Sequence, residues 1–125
     1  MELGESKEDY LEAIFALTEG KNEIVRSIRI AEYMQVSRAS ASIALRKLEK
    51  LGYLEYCDTH GVQLTEKGHV LGGKIYDRHL FFTEFLQTIG VSPDTANKDA
   101  CRLEHVVSDE SYDRFKCFLR EIQAG

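Results

Sequence analysis

Between Ser27 and Thr65 the hydrophobic period changes from helical to strand-like, and this limits the fold more than any other feature of the chain. Ser27 to Met34 has the spacing of a short helix, with Ile28, Ala31 and Met34 expected to face inward. Gln35 and Val36 make a tight turn. Ser37 then stands where a side-chain cap belongs, ahead of a helix that runs to Leu51 and is ended by Gly52. Tyr53 to Cys57 and Val62 to Thr65 are short strand-like runs around Asp58, Thr59, His60 and Gly61, a turn sequence. Two short helices across a brief turn, followed by a hairpin, make a winged helix-turn-helix. In this order the second helix enters a major groove, and the wing lies along the backbone or minor groove.

On that second helix Ala41, Ala44, Leu45, Leu48 and Leu51 form the expected core face. The opposite face carries Ala39, Ser42, Ile43, Arg46 and Lys50. Small residues near the N-terminus let backbone approach base edges, while the later cations reach phosphates. The expected DNA contacts are Arg26, Ser37, Arg38, Ala39, Ser40, Ser42, Ile43, Arg46, Lys47 and Lys50, with His60 at the wing tip. For His60 an exposed turn residue is the plainer alternative.

Charge is segregated in the same direction. Residues 26–50 hold six Lys and Arg against Glu32 and Glu49, a balance of +4 in a chain of net charge -5, so the rest carries -9. A basic segment on an acidic body suits a DNA-binding head on a separate scaffold.

The head is flanked by helices. Ser6 to Asp9 reads as a helix start with Ser6 as N-cap; Leu11, Ile14, Phe15 and Thr18 continue it, and Gly20 closes it. Asp9 and Glu12 share a stripe with Ala13 and Ala16; a capping-box partner and a solvated acid are the structural alternatives. Thr65 caps a long helix from Glu66 to about Ile89, with Leu71, Ile75, Phe82, Leu86 and Ile89 on its apolar face. His79 falls among them, where a satisfied core histidine is the ordinary occupant. Gly72 and Gly73 inside this helix suggest close approach of another helix.

Ser92 and Pro93 open the next helix, and Ser108 caps a last one with Tyr112, Phe115, Leu119 and Ile122 inward. The fold expected is mainly α with a small β-hairpin. Residues 1–70 form the winged helix-turn-helix, and 71–125 a helical domain for metal binding and dimerisation. At 125 residues the chain makes one domain or two small ones sharing a core.

In the helix after Pro93, Cys101, Glu104 and His105 stand at i, i+3 and i+4, so a thiol, a carboxylate and an imidazole share one face. All three are metal-ligand types; the alternative is a surface Glu-His pair beside a small buried Cys. Three cysteines without an export signal or an apolar membrane-length run imply free thiols in a reducing cytoplasm, with Cys57 and Cys117 expected as packing residues. The chain has no nucleotide loop, nucleophile elbow or zinc-protease spacing, and no catalytic residues are expected.

The chain resembles the diphtheria-toxin-repressor and manganese-transport-regulator family of metal-activated transcription factors over nearly its whole length. The resemblance rests on Glu8 to Glu12, Ile30 to Glu32, Leu64 to Gly68, Arg78-His79, Ile89 to Val91 and, most specifically, Cys101 to Glu110. It implies metal ligands at Asp9, Glu12, His79, Cys101, Glu104 and His105. Manganese members look like this chain at Asp9 and Glu12 but have a carboxylate at the Cys101 position. Iron members have the cysteine, with methionine where Asp9 stands. Thr83 and Asn97 occupy positions where iron members have Glu and His, so the second site of those members is incomplete here. In build the chain is closer to the short manganese regulators, without the SH3-like third domain.

The resemblance implies a homodimer on double-stranded operator DNA, with Mn(II) or Fe(II) as activator in one mononuclear or one bridged binuclear site per subunit. Two other readings compete. A winged-helix regulator could sense a small organic ligand or thiol oxidation at Cys101. A metal-dependent hydrolase would need a general base and a substrate cleft, for which there is no motif.

Overall fold

The computed structural model describes residues 3–125. The elements run α1 (Glu5–Leu17), β1 (Val25–Arg26), α2 (Ser27–Met34), α3 (Arg38–Lys50), β2 (Leu54–Tyr56), β3 (Gly61–Leu64), α4 (Glu66–Thr88), α5 (Pro93–Val106) and α6 (Asp109–Ala124). They fall into two compact units, one ending at Tyr76 and the other Asp77–Gly125, with the boundary inside α4.

In the first unit α1, α2 and α3 pack around Leu11, Ile14, Ile30, Leu45 and Leu48, all fully buried. Helix α1 starts at Glu5 rather than at a Ser6 cap. Gly4 is the N-cap, at φ +88, and caps with no side chain. Its left-handed backbone is one that glycine reaches without cost. The carboxylate of buried Glu8 accepts the backbone N–H of Leu3 at 3.0 Å instead. Asp9 therefore lies beyond the first turn and is not a capping-box partner.

Ser37 caps α3 as expected, its Oγ accepting the N–H of Ser40 at 3.0 Å. Two inward assignments in the head do not hold. Leu51 is exposed because α3 ends at Lys50 and the chain turns so that Tyr53 is buried instead, its N–H bonded to the carbonyl of Leu48. Ile28 is exposed because the eight-residue α2 presents only one narrow stripe, filled by Ile30 and Ala31.

The wing is more than a hairpin. Strands β2 and β3 pair antiparallel with Leu54 opposite Leu64, and β1 adds a third strand with Val25 opposite Val62. The sheet order is β1-β3-β2, so β2 is an edge, and Cys57 beyond it is exposed rather than packed. Two residues are too few for an alternation pattern, which is why β1 escapes a reading by period.

Helix α4 is capped by Thr65, whose Oγ1 accepts the N–H of Gly68 at 3.2 Å. Gly72 and Gly73 meet α1 at close range. A Cβ on Gly72 would stand 2.8 Å from the carbonyl oxygen of Leu11, and one on Gly73 would stand 2.9 Å from the ring of Phe15. Ile89 is exposed, because α4 stops at Thr88 and the chain reverses through Gly90 at φ +102.

In the second unit Phe82 is buried among rings of α4 and α6: Phe81 at 5.2 Å, Tyr112 at 5.9 Å and Phe115 at 6.2 Å between centroids. Leu119 is the only buried residue of α6, and Phe115 and Ile122, expected inward, are partly exposed in the single chain. One neighbouring helix cannot cover a stripe that wide. Cys117, two positions from Leu119, points away from it and is exposed.

Candidate metal centre and nucleic-acid interface

The two sites lie in different units and are built by different means. In the head, α3 presents Arg38, Ala39, Ser40, Ser42, Ile43, Arg46, Lys47 and Lys50 exposed, with Ser37 exposed at the cap. Arg26, Arg38, Ser42, Arg46 and His60 come together with Ser27, Ile28, Tyr56 and Thr59 around a concave pocket of about 500 Å³. Cations from β1 and α3 thus meet the wing on one surface, the electrostatic footprint that a phosphate backbone needs.

Arg46 is held rather than free. Its guanidinium lies 3.6 Å from the centroid of the Tyr56 ring and 3.2 Å from Glu49 Oε1, while Glu49 Oε2 accepts the N–H of Tyr56 at 3.1 Å. Burial pushes the Tyr56 hydroxyl above its usual pKa, Arg46 and Glu49 acting on it in opposite directions. Cation–ring stacking and the ion pair together join α3 to the wing. Sequence alone singles out neither Tyr56 nor Ile28, both of which line this pocket: an aromatic in a strand reads as core, and helical spacing points Ile28 inward.

The wing tip is ordered by Asp58, whose Oδ1 accepts the N–H groups of His60 at 2.8 Å and Gly61 at 2.6 Å. Those two bonds, from His60 first and Gly61 second, lower the pKa of the Asp58 carboxyl. The carbonyl of His60 in turn accepts the N–H of Ser27 at 2.8 Å, tying the tip to the start of α2.

In the second unit α4 supplies His79, and α5 supplies Cys101, Glu104 and His105. His79 Nδ1 lies 3.1 Å from Glu104 Oε2 and 3.8 Å from Cys101 Sγ. The three donor atoms are all within 4.8 Å of one another, as a common cation requires. Glu104 is fully buried, and its Oε1 lies 3.3 Å from Nε2 of buried His105. So the α5 residues expected on one face serve two sides of a single carboxylate. The other nitrogen of His79, Nε2, lies 3.1 Å from Asn97 Oδ1. Thr83 Oγ1 is turned to the carbonyl of His79, at 2.8 Å.

Arg78, 1% exposed, fixes this corner. Its guanidinium donates to the carbonyls of Val107 and Glu104, pairs with Asp109 at 2.6 Å and lies 4.7 Å from the Tyr112 ring. A buried guanidinium with this many partners ties α4 to the end of α5 and the start of α6. Asp9 and Glu12 stand one turn apart on α1 in the first unit, both half-buried.

The donor set fits a divalent transition ion. Imidazole and carboxylate suit Mn(II) and Fe(II), and the thiol adds a softer donor. The same division of labour is seen in known proteins. Residues 2–62 match the family model "Iron dependent repressor, N-terminal DNA binding domain", and residues 65–124 match "Iron dependent repressor, metal binding and dimerisation domain". The chain belongs to the iron-dependent repressor family.

Members of this family are transcriptional regulators rather than enzymes. A helix-turn-helix transcriptional regulator of Methanocaldococcus jannaschii is 34% identical over 125 residues, covering 97% of this chain and 98% of its own. The transcriptional regulator MntR of Oceanobacillus iheyensis is 38% identical over 109 residues, covering 87% of this chain and 74% of that protein. Among solved structures, the manganese regulator SloR is 33% identical with a TM-score of 0.79, over 91% of this chain and 53% of that one. A manganese-dependent transcriptional repressor in complex with manganese is 31% identical with a TM-score of 0.79, over 90% and 52%. The chain spans about half the length of these solved structures. Among the described residues no helix is long and apolar enough to cross a membrane.

Proposed function

We propose that this protein is a metal-activated repressor of metal-homeostasis genes, acting in the cytoplasm as a homodimer on double-stranded operator DNA with Mn(II) or Fe(II) as co-repressor. Residues 1–70 read the DNA, and 71–125 hold the metal and dimerise. The observation that carries this reading is the convergence of His79 Nδ1, Cys101 Sγ and Glu104 Oε2 in a chain that also bears a basic winged head.

Asp9 and Glu12 of α1 complete the ligand set with His79, Cys101, Glu104 and His105. The bound ion supplies positive charge that offsets the mutual repulsion of these acids. The acids of α1 do the rest. Helix α1 packs on α2 and α3 and meets α4 at Gly72 and Gly73, so a hold on α1 through Asp9 and Glu12 is a hold on the reading head. Two heads fixed in a dimer match two half-sites. A coupling of about 1–3 kcal/mol gives roughly 5–150-fold in operator affinity. The same residues would hold either one ion or a bridged pair per subunit.

Elemental analysis of purified protein, paired with gel shifts across Mn(II), Fe(II), Co(II) and Zn(II), tests the assignment. Manganese or iron should be bound and should activate. Activation by zinc alone in the physiological range would refute it.

A further inference from the structure

Glu49 is an acid on the helix that carries most of the head's cations, where a carboxylate repels phosphate. Both of its oxygens have local work. Oε1 lies 3.2 Å from Nη1 of Arg46, and Oε2 accepts the backbone N–H of Tyr56 at 3.1 Å. The Tyr56 ring closes the same loop from the wing, its centroid 3.6 Å from the Arg46 guanidinium. One flat side chain is thus fixed twice, on a face by the ring and on an edge by the carboxylate. The Arg46 side chain is still 51% exposed, and it lines the concave pocket with Arg26, Arg38 and His60. A guanidinium has five N–H donors in a rigid fork, so Arg46 held in this way keeps donors for a phosphate. An arginine without such support loses rotamer freedom when DNA immobilises it, and that loss subtracts from affinity.

We propose that Tyr56 is a positioning residue for DNA binding: from the wing, its ring holds the Arg46 guanidinium of α3 in one orientation at the pocket, so that DNA meets an arginine already ordered. This rests on the reading of α3 as the DNA-facing helix and of Arg46 as one of its contacts. A ring that only stabilised the wing would make a different prediction. Its removal would weaken DNA binding whether or not Arg46 is present. A positioning ring acts through Arg46 and has nothing to act on once Arg46 is gone, so the two substitutions are not additive. Lysine at position 46 keeps the charge but gives up the flat face and the fork.

The test uses the full chain and a duplex that wild type selects from a random pool, with anisotropy at fixed Mn(II) and fixed salt. Arg46→Ala should weaken binding. Tyr56→Leu should weaken it about 3–10-fold, the size of one side chain's ordering cost. In the Arg46→Ala background, Tyr56→Leu should change affinity by less than about twofold. Tyr56→Phe keeps the ring and gives up only the hydroxyl's hydrogen bond with Ser42. It should stay within about twofold of wild type. Arg46→Lys, which leaves the wing as it is, should bind more weakly although charge is retained. Nitrogen-15 relaxation of the Arg46 Nε–H group in the DNA-free protein reads positioning without affinity. Its order parameter should fall below about 0.6 in Tyr56→Leu and stay above that in wild type and Tyr56→Phe. Equal Tyr56→Leu losses in the two backgrounds, or an Arg46 equally ordered with and without the ring, overturn the proposal and leave the DNA-facing helix in place. So does Tyr56→Phe as weak as Tyr56→Leu, or Arg46→Lys as tight as wild type. Arg46→Ala with wild-type affinity removes Arg46 from the DNA interface and overturns that reading and the proposal together.

Discussion

His79 Nδ1 lies 3.1 Å from Glu104 Oε2, joining two helices through residues 25 positions apart in sequence. That contact brings His79 of α4, proposed above as a metal ligand, to a carboxylate whose other oxygen is 3.3 Å from His105. Replacing Glu104 takes away the carboxylate that sits between both histidines. Glu104→Ala should weaken Mn(II) binding by more than the roughly 10–100-fold expected for an outer partner. The protein should remain folded and keep weak, salt-sensitive DNA binding. Isothermal titration with Mn(II), beside circular dichroism, checks both halves.

On the proposed reading, the exposed face of α3 should divide into residues that position and residues that specify. Lys50→Ala should weaken binding about equally on all sequences and lower the salt slope by roughly 0.9. If α3 enters the major groove as proposed, Ile43→Ser, which alters an exposed apolar side chain of that helix, should re-rank operators by about 1–3 kcal/mol at one position. Fluorescence anisotropy over a salt series with a panel of duplexes separates the two.

At the wing tip the sign of the pH effect follows from Asp58. Its pKa is lowered by the N–H bonds from His60 and Gly61, so the ionised form is the one that favours the ordered turn. The stabilisation is fully present above the unfolded carboxyl value and is lost as pH falls through the lower folded value. Protection of the His60 and Gly61 amides, exchange measured against the intrinsic rate at each pH, should thus be constant through neutral pH and be lost only below about pH 4. In Asp58→Ala exchange should be fast throughout. Protection that fades between pH 6 and 8 would contradict this.

Gly72 and Gly73 should respond differently to alanine. Each substitution gains about 1 kcal/mol of helix propensity. At Gly72 the new Cβ meets backbone, the Leu11 carbonyl at 2.8 Å, which can yield only by moving α1. Overpacking of about 1–3 kcal/mol should then outweigh the gain. At Gly73 the obstacle is the far end of the Phe15 ring, which can tilt, so Gly73→Ala should be close to neutral. Urea unfolding midpoints decide; equal midpoints for the two variants would show that α1 does not constrain α4 there.

Much of the fold was readable because its punctuation is local. Ser37, Thr65, Ser92 and Ser108 each cap the helix that the sequence assigns to them. Elements without local signals depart from the sequence pattern for physical reasons. Strand β1 is two residues long and exists only by pairing with β3. Leu51 and Ile89 keep the helical period but lie at helix ends, where the chain turns away from the core. Phe115 and Ile122 form a wide stripe that the single chain leaves partly exposed.

The site was legible in part. Periodicity put Cys101, Glu104 and His105 on one helix, but no sequence spacing could show that Glu104 would turn one oxygen to His79 and the other to His105. His79 itself looked like a core histidine, and only the resemblance singled it out. Asn97 drew notice there only as a missing histidine. Its hydrogen bond to His79 depends on two helices meeting and leaves no local pattern.

The most direct test of the account is operator affinity of the unmutated protein with and without metal. A duplex selected from a random pool by the Mn(II)-loaded protein, followed by anisotropy at fixed salt, gives both numbers. The account predicts roughly 5–150-fold tighter binding with Mn(II) or Fe(II) than in chelator. Equal binding in the two conditions would contradict it.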